Sequence, residues 1–220
     1  SKLGSPPFPA DAYLPQGSAS GTFSGTYTGV ALASGKQFTA KSGPGAVSFH
    51  ADEVGGFMYG DDTGFDTIYH SMCPAVVDVD CWEANSFIND FLAPSGLDPL
   101  VEIRAAQCHA WIADATTASA ATFKDRVRRI DYSINRDNYV CCVGVNNGST
   151  TVVPDLWASA YNVISIGVSN GEHSRGGVTS DMDGAGRRKP EIVAPLIATS
   201  HATGYVTSAA GLLRQKADLI

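Results

Sequence analysis

The sequence has few cysteines, no long apolar run and no excess of basic residues, and each of these features argues against a class of protein. Five of its 220 residues are cysteine, and no two have the C-x-x-C spacing of a zinc site. No apolar run approaches the ~20 residues that span a bilayer, so no membrane partner is expected. Lysine and arginine number 15 against 22 acidic residues, a net charge of -7, which argues against a nucleic-acid partner. The opening stretch SKLGSPPFPADAYLP lacks the apolar segment of a signal peptide, as expected of a mature chain.

The few cysteines leave their redox state open. Cys141 and Cys142 are adjacent inside an apolar run. Neighbouring residues of a strand point to opposite faces, which favours two buried thiols over a vicinal disulfide. One disulfide among Cys73, Cys81 and Cys108 stays open, and the odd count leaves at least one cysteine free or paired between chains.

Apolar runs alternate with helical patterns along the chain. TYTGVALASG and LVEIRAAQC are predicted to form strands. YVCCVGV and NVISIGV are continuous apolar runs, typical of strands covered on both faces. Between LVEIRAAQC and YVCCVGV, Phe123, Val127, Ile130 and Ile134 recur at the spacing of one buried helical face. This alternation predicts an α/β protein with a mostly parallel sheet. Residues 1–25, rich in Pro, Gly and Ser, are predicted to form an extended arm, and residues 26–220 a single domain.

Three polar residues stand where strands end or helices begin. Ser200 follows the short strand EIVAP and starts the last predicted helix, where free N–H groups favour negative charge. His50 opens an earlier helix, and Asn147 lies just past YVCCVGV. Each has an ordinary structural explanation as a helix cap, a structural histidine or a turn residue. Together they are the residue types of a nucleophile, its base and an oxyanion donor.

The segments around these residues resemble the subtilisin-like serine proteases (subtilases). TSHATGYVTSAAGLL is similar to the family's nucleophile segment, G-T-S-x-A-x-P followed by an alanine-rich helix. KPEIVAP just before it is similar to K-P-D-I-V-A-P-G. HADEVGGFMYG resembles H-G-T-H-V-A-G, and CCVGVNNG resembles a strand ending in A-A-G-N. The resemblance extends from about Thr26 to Ala217.

The resemblance implies a three-layer α/β fold, with a mostly parallel central sheet and helices on both faces. It also implies an endopeptidase that hydrolyses peptide bonds through a serine acyl-enzyme. Ser200 would be the nucleophile, His50 the general base and Asn147 the oxyanion donor. A non-protease α/β hydrolase has less support, because ATSHA is not a G-x-S-x-G elbow.

The resemblance also implies a peptide or protein substrate bound in extended conformation. His109 and Trp111 would line one wall of the substrate site and Asn146 the base of its first specificity pocket, although a core position suits both aromatic rings equally. No cofactor is expected. Calcium is common in the family, but SDMDG, with Asp181 and Asp183, is a weak candidate against a solvated turn. The resemblance further implies a secreted or extracytoplasmic location, and the oligomeric state stays open.

The sequence departs from the family at several positions. Ala33, in GVALASG, stands where the family has the triad aspartate, and the one aspartate before His50 is Asp11 in the predicted arm. The aspartates of DDTGFD follow the histidine helix, in the wrong order along the chain. Glu53 and Gly204 also replace the family's residues. Either the alanine is engineered, or another carboxylate serves the histidine, or the protein is an inactive or weak relative that binds peptides or a partner.

Overall fold

The computed structural model describes most of the chain beyond its N-terminal part, namely residues 37–41, 49–60, 71–74, 76, 78–82, 84–112, 120–154, 157–178 and 187–217. The predicted arm, the strand predicted over TYTGVALASG and Ala33 lie outside these residues. The aspartates of DDTGFD and SDMDG also lie outside them.

A four-stranded parallel sheet forms the centre of the described part. Its strands are β3 (Ala106–His109), β4 (Val140–Gly144), β5 (Ile164–Val168) and β8 (Ile192–Ala194). They lie side by side in the order β3-β4-β5-β8, all parallel. Two smaller sheets accompany it, a parallel pair of β1 (Gln37–Ala40) with β2 (Asp78–Cys81) and an antiparallel pair of β6 (Gly176–Gly177) with β7 (Arg188–Lys189). The predicted α/β fold with a mostly parallel sheet is therefore confirmed.

Four helical segments connect or cover these strands. They are α1 (Phe49–Tyr59), α2 (Ala84–Ser86), α3 (Ala120–Asp137) and α4 (Thr199–Ala217). A π-helical turn, Phe87–Phe91, continues α2, and a 3-10 turn covers Trp157–Ser159. The helices predicted to open at His50 and at Ser200 start within one residue of those positions. No helix among the described residues has the length and apolar character needed to cross a membrane.

The helices lie on both faces of the central sheet. Cys141 of β4 belongs to a buried cluster with Ile130 of α3. The next residue, Cys142, belongs to a different cluster with Ala202 of α4. Because successive residues of a strand point to opposite faces, α3 and α4 cover opposite sides of the sheet. This arrangement confirms the predicted three layers, and all five cysteines of the chain are buried free thiols.

The strand predicted over LVEIRAAQC is shorter than expected and begins at Ala106. Two residues of the preceding segment bond to the end of α3. Arg136 donates to the Leu100 carbonyl at 2.7 Å, and the Glu102 N–H donates to the Asp137 carboxylate at 2.8 Å. The Leu100 carbonyl and the Glu102 N–H are thereby satisfied outside the sheet, which the apolar residues of the segment did not predict.

The parallel arrangement brings the ends of several strands to one edge. β3 ends two residues before Trp111, and β4 ends three residues before Asn147. β8 ends at Ala194, and a short loop leads from it into α4 at Thr199. Side chains from these distant segments therefore meet at the carboxyl edge of the sheet, where α/β proteins place their sites.

Candidate active site

A cavity of about 40 Å³ opens at this edge and brings together four of the residues singled out from the sequence. Ser200, Asn147, Asn146 and Trp111 all line it. They come from the start of α4 and from the segments that follow β4 and β3. Residues separated by up to 89 positions in the chain thus share one cavity.

Ser200 is the second residue of α4. Its side chain is almost buried, with 6% of the residue exposed. Its hydroxyl makes a long contact with the Ala110 carbonyl, at 3.5 Å. The first N–H groups of a helix lack intrahelical acceptors, and the helix dipole adds partial positive charge at this end. A negative charge that developed on or beside Ser200 would therefore be stabilised.

The Asn147 side chain is held in one orientation by Thr199. Its Oδ1 accepts hydrogen bonds from the Thr199 N–H, at 2.9 Å, and from the Thr199 hydroxyl, at 3.1 Å. These two bonds fix which end of the amide is the acceptor, since both partners donate. The amide N–H₂ is the opposite end of the group, and Asn147 lies on the wall of the cavity. Such a group is suited to donate to an oxyanion.

His50 lies on a different helix from Ser200. It lies in the first turn of α1, which packs against α4. Burial lowers the pKa of His50, while the Glu53 carboxylate opposes this effect and His201 adds to it. The neutral imidazole that a general base needs is therefore favoured at pH 7. His50 does not line the cavity, and the described contact of the Ser200 hydroxyl is with Ala110.

The structure buries His109 completely, away from the cavity. Its ring packs edge-on against Trp157 at 4.4 Å and against Phe87 at 5.1 Å between ring centroids. A fully buried ring offers no surface to a bound peptide. The sequence allowed either a core position or a place in the substrate wall for His109. The structure shows the core position, so the predicted substrate contact is wrong.

Trp111 separates the cavity from a smaller one of about 10 Å³, which Trp157 and Pro154 also line. Both indole N–H groups are buried without an acceptor among the described residues. On the other side, Asn146 is fixed by Ser174. The Asn146 N–H donates to the Ser174 hydroxyl at 3.0 Å, and its carbonyl accepts from the Ser174 N–H at 2.9 Å. The backbone of Asn146 is therefore held in place at the cavity by two hydrogen bonds.

Sequence reasoning missed two features of this region. Thr199 has no distinctive signal in the sequence, because a threonine at the start of a helix is an ordinary cap, although it directly precedes Ser200. Glu53 was noted as a departure from the family, but its contact was not predicted. The carboxylate lies 3.8 Å from Nε2 of His201, on the neighbouring helix. No periodicity within either helix reveals a contact between them.

No group of three or more metal-ligating side chains occurs among the described residues. Asp181 and Asp183, the weak calcium candidate, lie outside the described part of the chain. Ala33 also lies outside it, so the surroundings of the expected acid position are a matter of sequence alone.

Comparison with known proteins identifies relatives at the level of the fold. No protein family matches the sequence, and no curated protein matches it. Among solved structures, the chain is similar to MycP1 with the N-terminal propeptide removed, at 14% identity and a TM-score of 0.50, covering 96% of this chain and 79% of that one. It is also similar to the MycP3 protease from the type VII (ESX-3) secretion system, at 15% identity and a TM-score of 0.48, covering 96% and 72%. The chain therefore has the subtilisin-like α/β fold that MycP1 has.

Proposed function

We propose that this protein is a serine endopeptidase of the subtilisin type, with Ser200 as its nucleophile. One observation carries the proposal. Ser200, at the start of α4, and Asn147, with its amide oriented by Thr199, line the same cavity. A hydroxyl nucleophile beside a preorganised N–H donor is the pairing that acyl transfer requires.

The reaction follows from the chemistry of these groups. His50 accepts the proton of the Ser200 hydroxyl as the serine oxygen attacks a peptide carbonyl carbon. The carbonyl oxygen takes up the negative charge, and the Asn147 amide and the Ser200 N–H donate hydrogen bonds to it. His50 then gives its proton to the departing amine, which leaves an acyl-enzyme. Water, deprotonated by the same imidazole, hydrolyses the ester and restores the serine.

The cavity also bears on the substrate. An extended peptide would lie along the segments after β3 and β4, with Trp111 and Asn146 as neighbours. Trp111 and Trp157 narrow the adjoining cavity to about 10 Å³, which favours a small side chain there. A location outside the cytoplasm is part of the same proposal, and so is the need for no cofactor; both rest on the resemblance of the sequence.

Labelling with a fluorophosphonate tests the proposal, because the reagent reacts with an activated serine. We expect intact-mass spectrometry to show one adduct, peptide mapping to place it on Ser200, and Ser200→Ala to abolish it. Asn147→Ala is expected to slow labelling by about 10²–10³-fold, the usual cost of one oxyanion donor. Ser208→Ala, which removes a second buried serine of α4, is the matched control and should label at the parent rate.

A second candidate is a catalytically inactive protein of this fold that binds peptides or a partner. Ala33 at the expected acid position favours it. This candidate predicts no adduct in any form of the protein. It also predicts that extended peptides bind equally well, by fluorescence anisotropy, to the parent and to Ser200→Ala. Absence of labelling together with such binding would replace the first proposal.

A further inference from the structure

A second histidine lies beside the proposed nucleophile. His201 follows Ser200 on α4, and its ring faces α1. Its centroid lies 4.8 Å from that of the Phe57 ring, tilted by 31°. Its Nε2 lies 3.8 Å from a carboxylate oxygen of Glu53. The side chain is 12% exposed, so this contact belongs to the packed interface between the two helices.

Glu53 relates this histidine to the proposed base. It follows His50 by three residues on α1, and residues at that spacing share a helix face. The Glu53 carboxylate raises the pKa of His50 and that of His201, against the larger effect of burial, which lowers both. One carboxylate therefore acts on two imidazoles, one from each helix.

We propose that Glu53 and His201 form a positioning pair that controls the protonation of His50. The inference rests on the proposed role of His50 as the base. The Glu53 carboxylate stabilises the imidazolium that forms when His50 takes the proton of Ser200, as a nearby opposite charge does. A proton on His201 opposes it, because the two imidazolium charges repel. The pair thus supplies part of the imidazolium stabilisation that a triad carboxylate would supply. Acidification weakens this stabilisation, because it protonates His201.

Within the described part of the chain, two charged groups act on His50. Among the described side chains, those that shift the pKa of His50 by their charge are Glu53 and His201. The charged side chain that shifts the pKa of His201, among those described, is Glu53. The buried cluster around α1 contains further titratable side chains, namely Tyr59, Cys73, Cys81 and Cys108. Burial keeps His201 neutral near pH 7, so Glu53 acts on His50 unopposed there.

Proton exchange at the two imidazoles is measurable without catalysis. We expect NMR titration of the histidine ring signals, assigned with single His→Gln variants, to give a lower pKa of His50 in Glu53→Gln than in the parent, because the carboxylate charge is lost. In His201→Asn the pKa of His50 should instead be higher than in the parent, because the second imidazolium charge is lost. Loss of a merely structural contact would not shift the same group in opposite directions.

Asp125→Asn is the matched control, since it removes one carboxylate from the exposed side of α3. It should leave the pKa of His50 unchanged. Glu53→Ala serves as a second removal of the charge, and His201→Gln as a second removal of the imidazole. A pKa of His50 that is the same in the parent and in both Glu53 variants, or that shifts in the same direction in the Glu53 and His201 variants, would overturn the proposal.

The pH dependence of fluorophosphonate labelling then separates this inference from the proposed function. If Ser200 is labelled, the acid limb of the rate should move to lower pH in Glu53→Gln and to higher pH in His201→Asn. If no form is labelled while the NMR shifts are opposite, the protease proposal fails and the control of His50 by the pair stands. If the acid limb of the labelling rate lies at the same pH in the parent and in both variants, the proposed role of the pair would be overturned.

Discussion

At the scale of single residues, the state of His109 follows from a chain of hydrogen bonds. The Gln107 amide N–H₂ donates to the Glu102 carboxylate at 2.6 Å, which turns the amide oxygen towards the histidine. That oxygen lies 3.0 Å from Nε2 of His109, so Nε2 carries the proton. Nδ1 is buried without a partner among the described residues. A second proton would have to enter an aromatic surrounding, and burial lowers the pKa of His109 to about 3.

This state makes stability depend on pH in a known direction. In the unfolded chain, His109 is protonated below the ordinary histidine pKa of about 6.5. In the folded chain it is protonated only near pH 3. Stability is therefore full above pH 6.5 and falls as the pH decreases towards 3. We expect His109 to account for a loss of about 2 kcal/mol in the free energy of unfolding between pH 7 and pH 5.

Urea unfolding of the parent and of His109→Gln at both pH values measures this loss. The other titrating groups are common to the two proteins, so their contributions cancel in the comparison. The variant should lose about 2 kcal/mol less than the parent on acidification. Equal losses in both proteins would show that His109 accepts its proton in the folded state without the expected cost.

At the scale of elements, the contact between α1 and α4 depends on Gly204. A Cβ at this position would lie 2.7 Å from the Val54 carbonyl oxygen and 3.2 Å from Cβ of Phe57. The glycine therefore lets the two helix backbones approach more closely than any side chain would allow. This approach brings His50 and Glu53, both on α1, to the helix that carries Ser200.

Gly204→Ala should separate the two helices. Overpacking costs about 1–3 kcal/mol, and the better helix propensity of alanine returns up to about 1 kcal/mol. We expect a net decrease of roughly 1–2 kcal/mol in the free energy of unfolding, measured in urea. Gly177→Ala is the control, because its Cβ would meet its nearest neighbour, the Arg187 carbonyl, at an ordinary 3.9 Å. Equal unfolding free energies for both variants would contradict the role given to Gly204.

The same elements show how far the sequence predicts the structure. The local sequence pattern predicts where α4 begins, at Thr199, and that Cys141 and Cys142 point to opposite faces of the sheet. Both features depend on neighbouring residues in the chain. The local pattern was insufficient for the segment before Ala106, because hydrogen bonds from the end of α3 decide its course. The pair of Glu53 and His201 is likewise a tertiary contact between residues with no common periodicity.

At the scale of the whole molecule, the candidate site is assembled from segments far apart in the chain. Trp111 follows β3, Asn147 follows β4, and Ser200 is the second residue of α4, which follows β8. The sheet brings them together because its strands are parallel and end at one edge. In the subtilases that the sequence resembles, the triad acid comes from a further strand near the N-terminus. Here that place in the sequence holds Ala33, outside the described residues.

Restoring the acid tests whether the N-terminal part of the chain completes this assembly. A carboxylate beside the base fixes its tautomer and stabilises its imidazolium, and its loss from a triad lowers the rate by about 10⁴-fold. We therefore expect Ala33→Asp to accelerate fluorophosphonate labelling of Ser200 by up to about 10⁴-fold. Ala31→Asp, which adds the same charge two residues earlier, is the control and should label at the parent rate. If the two variants label equally, residue 33 does not approach His50, and the base depends on other carboxylates such as Glu53.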